Sequence, residues 1–251
     1  MLHLTASSSG DKPTVVLVHG AFAESSSWNG VVDRLLGDGF PVVAVANPLR
    51  GVQADADYLA GLLEGIEGPL VLVGHSYGGI VIGQAAEGND RVAALVFIGG
   101  YALDVGETAA GLTGQYEGGT LGETLVAFDL PGGAKDLYIA QDKYRAQFSA
   151  DVSELESARM AATQRPIVES ALNEPVRAAT WKTIPSWFLF GELDKNIPVA
   201  LHRFMAERAG ARRTVELAGG SHSVGIPEAA QVTELIEEAA AATVSATAGD
   251  A

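Results

Sequence analysis

Short apolar runs, each closed by glycine, proline or polar turn residues, constrain this 251-residue chain more than any other feature. They lie at Thr14 to Val18, Pro41 to Ala46, Leu70 to Val73, Val92 to Ile98, Ser186 to Phe190 and Thr214 to Leu217. Apolar and polar residues do not alternate within them. Each run therefore predicts a strand buried on both faces, as in a parallel sheet covered by helices. The segments between them carry helical spacing instead. Trp28, Val31, Val32, Leu35 and Leu36 share one helix face ahead of Gly37 and Gly39, Leu59, Leu62, Leu63 and Ile66 mark a second helix, and Val232, Leu235, Ile236, Ala239 and Ala240 mark a last one behind Pro227. Strand and helix in alternation imply a three-layer α/β fold, and 47% hydrophobic residues are enough to fill its core.

The alternation breaks once, over residues 103–183. This segment is loop-rich around Gly106 to Gly119, then reads as helical around Ala134 to Phe148 and Val152 to Ala162, with no buried strand expected. Strand runs resume after it, so the expectation is a single domain, with core 11–102 and 184–243 and a mostly helical cap inserted at 103–183. Residues 1–10 and 244–251 are expected to be flexible tails. The cap carries Tyr116, Phe128, Tyr138, Tyr144, Phe148 and Trp181, which suits a lid over an apolar pocket and equally the packing of a small helical layer.

Charge and composition narrow the function. Thirty-one acidic against 16 basic residues give a net charge of −15, which repels nucleic acid and anionic membrane surfaces, so neither is expected as a partner. The chain has no cysteine, which removes disulfides, thiolate metal sites, iron–sulfur clusters and cysteine nucleophiles together. Residues Met1 to Gly10 have no basic start leading into a long apolar stretch, and no run approaches the ~18 apolar residues of a membrane span. The expectation is a soluble, cytoplasmic protein.

The most informative motif is Gly74-His75-Ser76-Tyr77-Gly78, placed after a strand run and before the apolar helix pattern Gly79 to Ala86. In a G-x-S-x-G elbow the serine sits on a strained turn that exposes its Oγ, and the flanking glycines let strand and helix approach closely. A serine at its ordinary pKa is a poor nucleophile and needs a histidine base oriented by an acid. Among the five histidines, His3 lies in the N-terminal tail, His75 should diverge from Ser76, and His19 at the end of the first strand suits packing. His202, inside a helix pattern, reads as a surface residue. His222 follows the last strand run across Gly219-Gly220-Ser221, which places it at the carboxyl edge of the sheet, where α/β enzymes assemble their sites. Asp194, after the fifth run, emerges at the same edge and is the expected acid, with Glu192 and Asp104 as rivals. The order Ser76, Asp194, His222 is that of α/β-hydrolases. Acyl transfer also needs donors for the developing oxyanion, and the backbone N–H groups of Tyr77 and Ala21 are the expected pair. This chemistry requires no cofactor and no metal.

With these residues together, the chain resembles the α/β-hydrolase superfamily over nearly its whole length, and within it bacterial relatives of the plant methylesterase and hydroxynitrile lyase group. The resemblance rests on His19-Gly20-Ala21 with Trp28 downstream, Leu72 to Gly79, Tyr101 to Glu107, Asp194 to Pro198 and Gly220-Ser221-His222. It implies strand order 2-1-3-4-5-6. It also implies an esterase rather than a lyase, because Ser223 and Gly20 stand where lyase members carry lysine and threonine. Leu103 departs from the proline of many relatives. Superfamily members with this triad also include perhydrolases and cofactor-free oxygenases, and a receptor on the same scaffold is a further class. The expected substrate is a small, uncharged, partly apolar or aromatic ester.

Overall fold

The first apolar run becomes strand β1 (Thr14–Val18), buried at every position, in a computed structural model that describes residues 12–247. Helix α1 (Asn29–Gly37), β2 (Val42–Val45), α2 (Val52–Glu64), β3 (Leu70–His75), α3 (Gly78–Ala85) and β4 (Val92–Ile98) follow in the expected alternation. The cap contributes α4 (Ala109–Thr113), β5 (Leu125–Asp129), β6 (Lys135–Ile139), α5 (Gln141–Phe148), α6 (Glu154–Thr163) and β7 (Ile167–Val168). The chain then returns through β8 (Ser186–Gly191), α7 (Val199–Arg208), β9 (Arg213–Leu217) and α8 (Ala229–Thr247).

The main sheet has six parallel strands in the order β2-β1-β3-β4-β8-β9, the order the resemblance implies. Successive side chains of a strand face opposite layers, and the core divides accordingly. Val16, Val18, Leu72, Leu95, Phe97, Phe188 and Phe190 pack with α2, α3, α7 and the cap. Val15, Leu17, Val71, Val73, Val96 and Leu189 pack with Val31 and Leu35 of α1 and Val232, Leu235 and Ile236 of α8. Burying each such side chain stabilises the fold by about 1.5–3 kcal/mol, so uninterrupted apolar runs fix both layers at once. Between β1 and β3 the chain's direction of travel across the sheet reverses, opening the crevice where α/β folds place their sites.

Two expectations need correction. The cap is helical over Gln141–Phe148 as expected, but the helix does not reach back to Ala134: Lys135–Ile139 is the middle strand of a three-stranded antiparallel sheet, β5-β6-β7. The turn Pro131-Gly132-Gly133, with both glycines at positive φ, folds β6 back on β5, and Leu130 N–H closes it by donating to the Ala134 carbonyl. Most of β5 is exposed, so no buried run announces it. At the other end, the tail expected at 244–251 does not begin where the helix was to stop. Helix α8 continues to Thr247, as alanine's high helix propensity favours. The remaining tail expectations, at 1–10 and 248–251, lie outside the described residues. No helix among the described residues is long and apolar enough to cross a membrane.

Candidate active site

Ser76 sits where β3 turns into α3, with φ of +52°, a left-handed conformation that costs a non-glycine residue about 1–2 kcal/mol. Backbone contacts hold it there. Ser76 N–H donates to the Ile98 carbonyl at the end of β4, and the Ser76 carbonyl accepts from the Tyr101 and Gly79 N–H groups. Glycine is needed at position 78, because a Cβ there would lie 2.3 Å from the Val18 carbonyl oxygen. The start of α3 thus rests directly on the end of β1. Gly20, in the loop after β1, lies against the serine itself, and a Cβ on it would come within 2.6 Å of Ser76 Cβ.

The structure brings Ser76, His222 and Asp194 into one hydrogen-bonded chain. Ser76 Oγ is 2.9 Å from His222 Nε2, and His222 Nδ1 is 2.7 Å from Asp194 Oδ2. A carboxylate accepts only, so Nδ1 carries the proton and Nε2 is left to accept from the serine hydroxyl. Asp194 is fully buried. Its Oδ1 accepts from the Asn196 and Ile197 amides at 2.8 and 2.9 Å, and its Oδ2 also accepts from His202 Nε2 at 3.0 Å. Burial alone pushes this carboxyl's pKa up, but attraction to His222 and the hydrogen bonds from His202 and His222 outweigh it and hold the group well below the usual carboxylate range. The rival acids are elsewhere: Asp104 pairs with Lys182 at 2.5 Å, and Glu192 accepts from the Gly219 amide.

The other three described histidines have structural partners. His19 Nδ1–H donates to the Gly20 carbonyl while Nε2 accepts from Asn47 N–H, tying the loop after β1 to the end of β2. His75 diverges from Ser76 and donates from Nε2 to the His222 carbonyl at 3.0 Å. His202 is the correction: it is a buried residue, stacked on Phe190 at 4.8 Å between ring centroids and bonded to Asp194, not a surface histidine. The signal was present in the helix pattern, since Leu201, His202, Met205 and Ala206 form one buried face.

Burial lowers the His75 pKa from 6.5 to about 3, helped by repulsion from His222. An unfolded histidine binds its proton near 6.5, so between these values the unfolded state holds more protons and stability falls as pH is lowered. His19 is shifted in the same direction by burial. Urea unfolding from pH 7 to 4 should lose stability at up to about 1.4 kcal/mol per pH unit for each such histidine. His75→Gln, which keeps a donor for the His222 carbonyl, should flatten that slope; an unchanged slope would contradict the assignment.

The cap holds the loops on both sides of the serine. The Phe148 carbonyl, at the end of α5, accepts from Ser223 N–H at 2.9 Å and Ser223 Oγ at 2.8 Å, and Asp151 accepts from Ser221 N–H at 2.7 Å. The His222 ring lies between Phe148 and His75, each 4.9 Å away. Across the site, Phe22, at φ +61°, donates its N–H to the Arg165 carbonyl and accepts from Tyr144 Oη at 2.7 Å. No local sequence pattern pointed to Tyr144, Asp151 or Arg165 as supports. Among the described residues the backbone N–H groups of Ala21 and Tyr77 donate to no other backbone group, and no set of histidines and carboxylates is arranged as metal ligands.

Comparison with known proteins shows what this chain is similar to. It is 26% identical over 250 residues to the Alpha/beta hydrolase nvfD of Aspergillus novofumigatus (strain IBT 16806), an alignment covering 91% of this chain and 97% of that protein. Its fold is similar to that of polyneuridine aldehyde esterase, with a TM-score of 0.78 at 18% identity over 90% of this chain and 98% of that one. Methylesterase MES16 from Arabidopsis gives a TM-score of 0.75 at 15% identity, over 90% and 98% of the two chains. The alpha/beta hydrolase family matches residues 15–235, from β1 into α8 and across the whole of the site, and the chain belongs to that family.

Proposed function

We propose that this protein is a carboxylic ester hydrolase working through an acyl-enzyme on Ser76. The observation that carries the reading is the unbroken chain from Ser76 Oγ through His222 to the buried Asp194 carboxylate, which leaves His222 Nε2 facing the serine hydroxyl as an acceptor. Ser76 Oγ attacks the ester carbonyl carbon as its proton passes to His222 Nε2. The carbonyl oxygen becomes an oxyanion and takes hydrogen bonds from the Ala21 and Tyr77 amides, groups that no other backbone acceptor among the described residues occupies. The intermediate collapses, the C–O bond to the leaving group breaks, and His222 returns the proton to the departing alcohol. Water then loses a proton to His222 and attacks the acyl carbon, releasing the acid and restoring Ser76. Asp194 keeps the imidazole in the Nδ1–H form and stabilises the transient imidazolium.

Ester hydrolysis is favoured over cyanohydrin cleavage because the residue after His222 offers no cation: Ser223 spends its hydroxyl on the Phe148 carbonyl. The substrate we infer is small, uncharged and partly apolar or aromatic, entering beneath the cap. Purified protein should be labelled on Ser76 by a fluorophosphonate probe and should release nitrophenol from short-chain nitrophenyl esters. Absence of both would sink this reading.

A further inference from the structure

Asp194 Oδ2 is shared. The same oxygen that accepts from His222 Nδ1 at 2.7 Å accepts from His202 Nε2 at 3.0 Å, and all three side chains are sealed from solvent. His202 Nδ1, on the far side of the ring, makes no hydrogen bond among the described residues, and the ring face lies flat on Phe190 with 8° between the planes. A bare nitrogen lone pair is tolerable in such surroundings, whereas a second N–H would be a buried donor without an acceptor. The geometry therefore suits the tautomer with its proton on Nε2, donating to Asp194, and Nδ1 bare.

We propose that His202 is a positioning residue: a permanently neutral donor that divides the Asp194 carboxylate with His222 and so sets the pH at which His222 becomes available as a base. This rests on the hydrolase reading above. Each hydrogen bond to Oδ2 draws on the same negative charge, so the His202 bond weakens the hold of Asp194 on the His222 imidazolium. Without His202, the whole of that charge would face a protonated His222. His202 also fixes Oδ2 in place: α7 starts at Val199, directly behind Pro198, and carries the imidazole back over the loop that bears Asp194.

The other ionisable groups facing this cluster do not duplicate the role. His75 from β3 and His19 from the loop after β1 are held neutral by burial. Tyr101, from the loop after β4, shares a hydrogen bond between its hydroxyl and that of Thr113. Glu216 of β9 is paired with Arg203, and Asp151 of the cap with Ser221.

The test compares wild type, His202→Phe, which keeps a flat ring on Phe190 but no donor, and His202→Gln, which restores an N–H of similar reach. In H202F the acid limb of kcat/KM for a nitrophenyl ester should move up by roughly half to one pH unit. Activity at pH 6 should then fall by about 3- to 10-fold and at pH 8 by less than about 2-fold, through kcat rather than KM. H202Q should return the limb toward its original position. A pH profile unmoved in H202F, even with lowered thermal stability, overturns the proposal and leaves a packing role. Nitrogen-15 histidine spectra need no turnover: His202 should keep Nε2 protonated and Nδ1 bare from pH 5 to 9, and His222 should titrate higher in H202F. A His202 that titrates in this range or carries its proton on Nδ1 overturns the proposal whether or not H202F folds. Absence of any ester turnover, with these spectra as expected, counts instead against the hydrolase reading.

Discussion

Ser76→Ala should reduce kcat on any ester the protein hydrolyses by on the order of 10⁴ to 10⁶, by comparison with nucleophile knockouts in serine hydrolases. The substitution removes one oxygen and changes nothing that holds the turn. The positive φ is maintained by the Ile98, Tyr101 and Gly79 backbone bonds, and alanine keeps the same Cβ. Thermal unfolding of S76A should therefore match wild type within about 0.5 kcal/mol. Residual catalysis of ~10³ over water is expected from the Ala21 and Tyr77 amides if they bind the oxyanion. Steady-state kinetics beside a melting curve checks both halves. Loss of activity with loss of folding would leave the nucleophile unassigned, and retained turnover would remove Ser76 from the mechanism.

Asp194→Asn should be nearly as damaging, and for two reasons that separate experimentally. Exchanging the triad acid for its amide costs about 10⁴ in turnover in a serine protease, through the wrong histidine tautomer. Here the amide also has no comfortable orientation. Oδ1 faces two backbone N–H donors and Oδ2 faces two imidazole N–H donors. Whichever side the asparagine NH2 takes, it confronts donors in a fully buried site, at about 1–3 kcal/mol for each group left unsatisfied. D194N should thus lose both activity and stability, in contrast to S76A. Urea unfolding of the two variants side by side would show it, and equal stability would mean that the carboxylate is less tightly enclosed than its hydrogen bonds indicate.

Much of this arrangement could be read from the chain alone, for physical reasons that also explain what could not. The core strands are legible because burial on both faces demands uninterrupted apolar residues, as in Leu70 to Val73. Ser76 is legible because the close approach of α3 to β1 admits only glycine at 78. Asp194 and His222 are legible by position, each just past a strand at the carboxyl edge. His202 was misread because a lone histidine in a helix looks like surface until its neighbours Leu201 and Met205 are counted as one face. The β5–β6 hairpin was missed because its outer strand, exposed at Ala127 and Phe128, has no core to advertise it. The supports from Tyr144, Asp151 and Arg165 join residues at least 70 positions apart in sequence, and no local pattern encodes such a contact.

The Phe148 carbonyl, bonded to Ser223 from one side of the cap, and Tyr144 and Arg165, bonded to Phe22 from the other, make the cap a poor candidate for modular exchange. A chimera that borrowed a foreign cap to change substrate preference would inherit two unanchored loops with it. Redesign of this scaffold has to transplant those acceptors and donors along with the rest of the cap, because they tether the loops that flank Ser76.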